Sequence, residues 1–516
     1  MPQRVILLTP ARRFIANRFG LGYQIPLGLV LIGGPLIDAG HLVRLIDNDL
    51  YGWGSERLVA EIARFEPDCV LLGHTGSTAA HPTCLSTARV LREAFPTIQI
   101  IYGGVYPTYA AESSLRECPA IDVVVRGEGE QTILELLAAR EQGRSPADVP
   151  GITWRDGSYI TSNRSCSPIQ NLDAYRPGWE LVDWPGYKLF NMGRSAGVQF
   201  SRGCPLTCTF CGQWMFWKKW RHRSPQNLIA ELTTLARQYG VKIVWFADEN
   251  FAASRQDAQE VLERLVKADL GLSLNINMTA ADVVRDADLL PLYKAAGVDY
   301  VVMGLESLED ETVAAIRKNN PFQVSKQAVR LLRQNHIISL VNLIYGLEAE
   351  NLATVKTKLR KLYELDPDIL NAVYLTPHFW TVTGRATLPE TIIQTDQARW
   401  TYRNQVVAAS QLTPAALFGC VKLTEALFHL RPKALARLIR GGDWKIRRIL
   451  RASLAVGLRV VLAEIGEFLW ATSKIFGNYS ALVWSNCSRP ETGENSKLPV
   501  PGLRSSSEPA KMGSSE

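Results

Sequence analysis

Three cysteines, Cys204, Cys208 and Cys211, lie close together in the segment SRGCPLTCTFCGQW (201–214). The spacing Cys-x3-Cys-x2-Cys puts three thiolates on one tight loop. A four-iron cubane held by three thiolates keeps one iron open to a small chelating molecule. Gly203 and Pro205 suit a chain that turns sharply around such a cluster. The same trio fits a zinc site if a fourth N or S ligand joins it, with His222 available in sequence for that place. The chain has nine cysteines, an odd number, and Cys69, Cys84, Cys118, Cys166, Cys420 and Cys487 are scattered. With only a short apolar start, MPQRVILLTP, and no disulfide pattern, reduced thiols and a cytoplasmic location are expected.

A cluster loop must be positioned by something larger, and 516 residues exceed one hydrophobic core. Residues 1–145 alternate short apolar strands (5–10, 41–47, 69–73, 98–104, 121–130) with helices such as 26–38, 55–65 and 78–93. That pattern predicts an open, doubly wound parallel sheet, whose ligands sit at the carboxyl ends of the strands. Small residues fall there: Gly73, Thr75, Gly76 and Ser77 after the third strand, Gly103 and Gly104 after the fourth. Residues 146–190 read as a linker with a hairpin over 149–160 that turns at Asp156-Gly157. Residues 191–396 carry six strands (197–201, 242–248, 272–278, 300–306, 339–347, 370–377) with helices between them. A partial or full parallel barrel is expected, with its chemistry at the C-terminal strand ends. Residues 397–478 read as helical, and the Ser-, Pro- and Gly-rich stretch 479–516 as a disordered tail.

The cysteine motif directly after the first strand of a repeated βα domain is similar to that of the radical S-adenosylmethionine (SAM) superfamily. That resemblance implies a [4Fe-4S] cluster on Cys204, Cys208 and Cys211, with SAM on the open iron. Phe210 takes the family's aromatic place beside the last cysteine. Asp248, Glu249 and Asn250 end the second strand, where the family contacts the SAM amino group. Asn277, with Asn275 and Thr279, lies where ribose contacts occur, and Gly304 and Glu306 where an adenine-side motif occurs. A doubly wound domain ahead of such a barrel resembles the cobalamin-binding subclass. The implied fold class is α/β: an N-terminal Rossmann-like cobalamin-binding domain, a radical SAM partial (β/α) barrel and a C-terminal helical region. The Asp-x-His-x-x-Gly loop of many cobalamin proteins is missing, so a protein histidine below the cobalt is not expected; His74 reads as a loop polar group.

The stretch CGQWMFWKKWRHRSP (211–225) interleaves aromatic and basic residues, which suits a large, flat, anionic ligand. With FADEN (246–250) and RWTYRNQVVA (399–408) it resembles the anaerobic magnesium-protoporphyrin IX monomethyl ester oxidative cyclase family, over roughly residues 1–475. The resemblance implies oxidative cyclisation of a magnesium porphyrin to protochlorophyllide, started by a 5′-deoxyadenosyl radical and taking its oxygen from water. Reduced flavodoxin or ferredoxin is the implied electron donor. Arg221 and Arg223 would pair with the free propionate, and His222 or His378 would ligate the substrate magnesium. The alternatives are a cobalamin-dependent radical SAM C-methyltransferase acting on a tetrapyrrole or lipid, and a non-enzymatic cobalamin or redox sensor. Residues 431–460 carry nine basic side chains against one acid, while the net charge is only +7. A nucleic-acid partner is therefore not expected, and a peripheral membrane contact through 431–460 is.

Overall fold

The computed structural model describes residues 2–11, 21–74, 78–347, 349–408, 411–440 and 443–475. The first sheet contains β1 (Arg4–Thr9), β2 (Leu42–Asp47), β3 (Cys69–Leu72), β4 (Gln99–Gly103), β5 (Val123–Val125), β6 (Ile152–Asp156) and β7 (Tyr159–Ser162). Their spatial order is β2-β1-β3-β4-β5-β6-β7, the first five parallel. The chain reverses direction across the sheet between β1 and β3, which is the switch point where doubly wound sheets bind ligands. Helices cover both faces, so the strands read as unbroken apolar runs. In β1, Val5 and Leu7 pack on one side with Leu29, Leu36 and Leu136, and Ile6 and Leu8 on the other with Leu58, Leu85 and Leu91.

The hairpin expected in a linker is instead part of this sheet. β6 pairs antiparallel with β5 (Val123 opposite Trp154), and Gly157 turns the chain at φ +59°. The strand character of 152–162 is legible in sequence, but its partner is not.

The second sheet has seven strands and does not close. Its strands are β8 (Lys188–Leu189), β9 (Gly193–Val198), β12 (Val241–Phe246), β13 (Ser273–Asn277), β14 (Val298–Glu306), β15 (Ile338–Tyr345) and β16 (Ile369–Tyr374). β9, β12, β13, β14, β15 and β16 are successive parallel neighbours, which makes a partial barrel, and β8 adds an antiparallel edge. The first barrel strand starts four residues earlier than its apolar pattern suggests, because Gly193, Arg194 and Ser195 pair through backbone alone. β10 (Ser201–Arg202) and β11 (Arg221–His222) form a small antiparallel ladder around the cysteine loop.

Helices Pro414–His429, Pro432–Arg440 and Trp444–Ile475 follow the barrel. The first packs Leu417 and Val421 on Tyr345, Ala372 and Tyr374; the last packs Ile449 and Leu450 on Tyr300 and Ile338. No helix among the described residues is long and apolar enough to cross a membrane.

The two sheets are joined by buried polar bonds. One is Tyr187 to Asp47, with the hydroxyl donating at 2.7 Å. Burial pushes the Asp47 carboxyl up to about 6, although the Tyr187 bond pulls it down. The folded chain then holds a proton that the unfolded chain has lost, from pH about 4 to about 6, so this group's stabilisation fades as pH rises through that window. Asp47→Asn removes the titration: its Oδ1 keeps the bonds from the Asp49 and Leu50 N–H groups, and its amide nitrogen then donates to the Tyr187 hydroxyl. The fall in melting temperature from pH 4 to pH 6 should be flatter in the variant; equal slopes would refute the assignment.

Candidate active site

A cavity of about 1310 Å³ lies between the carboxyl ends of the first sheet and the interior of the barrel. A pocket for a single drug-sized ligand measures roughly 300–1,000 Å³, so this space suits more than one bound molecule. Its rim on the first domain is Gly73, His74, Gly103 and Gly104. Gly104 has φ +125°, and a side chain added at Gly103 would meet nothing nearer than 3.9 Å. A flat macrocycle can therefore approach the backbone there. Thr75, Gly76 and Ser77 lie outside the described residues.

The cysteine loop forms the opposite rim. Gly203 has φ +94°, and a Cβ there would stand 2.6 Å from the Lys219 carbonyl oxygen. The loop is pinned by Thr209 N–H to the Ile316 carbonyl at 3.0 Å and by the Trp214 indole to the Cys208 carbonyl at 3.1 Å. Cys208 is buried, and Cys204 and Cys211 are partly exposed. Burial pushes Cys204 up to about 11 and Cys211 up to about 12, and the charge of Cys208 raises both further. Lys318 works against this: its charge lowers all three. Burial lowers the Lys318 ammonium's own pKa, and the net shift is upward because Glu306 and the cysteines outweigh it. Three thiols on a short loop beside a fixed cation, open to a cavity through Cys211 and Phe210, fit an iron–sulfur cluster with one exposed iron. His222 does not join them: its Nε2 lies 3.6 Å from Asp257 and its Nδ1 2.9 Å from the Arg223 carbonyl. The zinc alternative thereby loses its fourth ligand.

The residues after the second barrel strand separate into two kinds. Asp248 is fully buried and turned away from the cavity. Its carboxylate accepts from Phe200 N–H at 3.0 Å and from the Ser201 N–H and hydroxyl. It ties the strand end to the chain entering the cysteine loop. Asn250 donates to Asp282 at 2.8 Å. Glu249 is the member of the trio that faces the cluster loop; burial pushes it up to about 7, and its charge acts on Cys204 and Cys211. Asn277 lines the cavity and donates to the Asp248 carbonyl at 2.8 Å. Glu306 also lines it, in the left-handed region at φ +67°, and accepts from Lys318 at 3.2 Å. Gly304 leaves room for that pair: a Cβ there would be 2.1 Å from Glu306 Oε1.

The substrate arginines expected from sequence are placed otherwise. Arg221 donates to Glu128 at 2.6 and 3.0 Å and to the Ile169 carbonyl, and Arg223 pairs with Glu231 and Asp173. Neither lines the cavity. Of the aromatic stretch, Phe216 and Trp217 line it, and Trp214 and Trp220 do not. His378 does line it, stacked on Trp380 at 4.7 Å, with Nδ1 2.7 Å from Thr78 Oγ1 and Nε2 2.7 Å from the Tyr402 hydroxyl. Burial lowers its pKa to about 4, so it is neutral at pH 7.

Sequence reasoning missed Lys318, Trp380, Tyr374, Arg202 and Arg403. Trp380 stacks on Tyr109 at 5.4 Å and fills the space beside Gly212 in the cluster loop. Arg202 and Arg403 line the cavity. Arg202 and Arg403 sit inside the segments 201–214 and 399–408 without standing out there, Lys318 follows a short helix, and Tyr374 and Trp380 lie at and just after the end of β16.

The radical SAM superfamily model matches residues 198–362, and a B12-binding domain model matches residues 20–137. A radical SAM methyltransferase structure from Kitasatospora setae, TsrM with cobalamin and a [4Fe-4S] cluster bound, shares the fold, with a TM-score of 0.67 at 16% identity. It covers 91% of this chain and 100% of that one. Fold and cysteine loop define a B12-binding radical SAM protein. The anaerobic magnesium-protoporphyrin IX monomethyl ester cyclase of Synechocystis sp. is 38% identical over 92% of this chain and 95% of its own length. The cyclase of Rubrivivax gelatinosus is 33% identical over 68% of this chain and 64% of its own. The chain belongs to the anaerobic magnesium-protoporphyrin IX monomethyl ester cyclase family.

Asp248→Ala would leave three buried donors without an acceptor. Each such loss costs about 1–3 kcal/mol, so a destabilisation of about 3 kcal/mol or more is expected. Denaturant unfolding measures it, and iron bound per chain after reconstitution should fall with it. An Asp248→Ala protein as stable as the parent would refute the anchoring role.

Proposed function

We propose that this chain catalyses the oxygen-independent oxidative cyclisation of magnesium-protoporphyrin IX 13-monomethyl ester to protochlorophyllide, with the new oxygen taken from water. The observation that carries it is the single cavity joining the cysteine loop to the glycine rim of a B12-binding domain, in a chain of the cyclase family. Cys204, Cys208 and Cys211 would hold the cluster. Phe210, Glu249, Asn277 and Glu306 would bound SAM, with Asp248, Asn250 and Gly304 holding those groups in place. Gly73, Gly103 and Gly104 would admit cobalamin. When bound, these cofactors supply the radical chemistry, and the protein supplies position and dryness. His378 presents its ring to the cavity, and a bond from Nε2 to the substrate magnesium would replace its bond to Tyr402. The division into a first domain to 145, a linker to 190, a core to 396 and helices to 478 follows the same reading, with the linker's hairpin given to the first domain.

Reduced flavodoxin or ferredoxin would supply electrons in the cytoplasm. Residues 431–460 would meet an anionic membrane surface, since Leu435, Ile439 and Leu458 are exposed beside exposed Lys433, Arg440, Arg448, Arg451 and Arg459. Vesicles containing anionic lipid should sediment the protein, and neutral vesicles should not. An Arg448→Glu/Arg451→Glu/Arg459→Glu variant should lose that binding, and retained binding would remove this surface.

The main test is anaerobic incubation of the reconstituted protein with SAM, reductant, cobalamin and the porphyrin ester. Formation of 5′-deoxyadenosine and protochlorophyllide is expected, and each Cys→Ser variant at 204, 208 or 211 should abolish both. S-adenosylhomocysteine with a methylated product would favour a methyltransferase instead. A protein that binds cofactor and cleaves no SAM would be a sensor.

A further inference from the structure

Tyr374 closes β16 and stands apart from the groups assigned above. It lines the cavity and is 3% exposed, and its hydroxyl has no hydrogen-bond partner among the described residues. A buried donor without an acceptor is uncommon in a folded protein and calls for an explanation. Burial, helped by the charges of Glu425 and Glu464, keeps the phenol protonated far above its usual range. It therefore holds a hydrogen that has no acceptor among the described residues, in a side chain of the cavity wall.

What surrounds it decides which acceptor it suits. Glu425 and Glu464 also line the cavity, and Lys422 bridges them at 2.7 and 2.6 Å. Arg403 stands 3.7 Å from each carboxylate and is itself held by Asn371 at 2.8 Å and the Ala372 carbonyl at 3.2 Å. Two cations and two carboxylates balance. A free carboxylate entering here would be a third, uncompensated anion in a desolvated place, whereas a neutral carbonyl oxygen adds no charge. Discrimination of this kind combines one attraction with one penalty.

We propose that Tyr374 is a specificity-determining residue that donates to the ester carbonyl of the substrate's methylated propionate, while Glu425 and Glu464 turn away the unesterified side chain. This rests on the cyclase reading above, and it adds a subsite that distinguishes the monomethyl ester from the diacid.

The test is binding, read by anaerobic porphyrin-fluorescence titration of the cluster-reconstituted full chain. The probes are magnesium-protoporphyrin IX, its monomethyl ester and its dimethyl ester. The parent protein should bind both esters at least about tenfold more tightly than the diacid, and Tyr374→Phe should weaken both esters about fivefold, the size of one lost hydrogen bond, while leaving the diacid unmoved. Tyr374→Phe preserves shape, and an unchanged melting temperature separates lost binding from lost folding. Glu425→Gln should strengthen the diacid selectively. Equal affinity of the parent for diacid and monoester, unchanged ester binding in Tyr374→Phe, or rejection of the dimethyl ester alone would each overturn the subsite. A parent protein that binds none of the three porphyrins would sink the cyclase reading, and this subsite with it.

Discussion

The arrangement depends on a buried set of ion pairs that clamps the first domain to the mouth of the barrel. Glu128 and Glu130 open the helix after β5; Arg202 and Arg221 flank the cysteine loop on β10 and β11. All four are less than a tenth exposed, and Arg221 meets Glu128 at 2.6 Å while Arg202 meets Glu130. Such pairs add little net stability over apolar packing, but breaking one costs about 3–5 kcal/mol because it strands a buried charge. The clamp thus works through register. It fixes which glycine loops of the first sheet face which residues of the cysteine loop, and so fixes the height of the cavity between them.

That clamp also explains why the sequence misleads about the arginines. A run of aromatic and basic residues just past a cluster motif reads as a wall for a flat anion. Arg221 and Glu128 are 93 residues apart, and no local period announces that they meet. Arg223 is taken up nearer in the chain, by Glu231 eight residues on, while Lys318 acts on the thiols from a distant loop with no motif of its own. The strands were far more legible: buried on both faces, they read as apolar runs, and the parallel order follows from their alternation with helices. β9 was displaced because glycine, arginine and serine carry none of that pattern. The hairpin was visible as a hairpin, but edge pairing with β5 is decided by backbone hydrogen bonds that sequence does not encode.

Among the described residues three arginines line the cavity, Arg202, Arg403 and Arg437, and they show how little spare charge the site holds. Arg202 is spent on Glu130, Arg437 on Asp366 and Asp368, and Arg403 is balanced by Glu425 and Glu464. A ligand entering this space meets neutralised groups, apolar walls and a few oriented donors. Affinity must then come from stacking and burial, with polar groups choosing orientation. His378 and Trp380, stacked at 4.7 Å on the cavity wall, supply such a surface, and Tyr106 and Tyr109 of the first domain brace Trp380 from behind at 5.7 and 5.4 Å.

The interior of the barrel completes the argument. Parallel barrels normally fill their centre with layers of branched apolar side chains. Here inward positions carry Ser195 and Gly197 on β9, Asn275 and Asn277 on β13, Asn342 on β15 and Asn371 on β16, all on the cavity wall, while β12 and β14 between them present Ile243, Trp245, Tyr300 and Val302. Asn371 donates to Asn342 at 2.8 Å across the β15–β16 register, so these amides satisfy one another instead of closing the space. The outward positions, Leu274, Ile276, Val341 and Leu343, carry the packing against helices. Strand stability and an open interior, apolar with a few amides set into it, are thereby assigned to opposite faces of the same residues' alternation. An open barrel can hold its shape this way only because its free edge at β16 is covered by the C-terminal helices, which makes those helices part of the site.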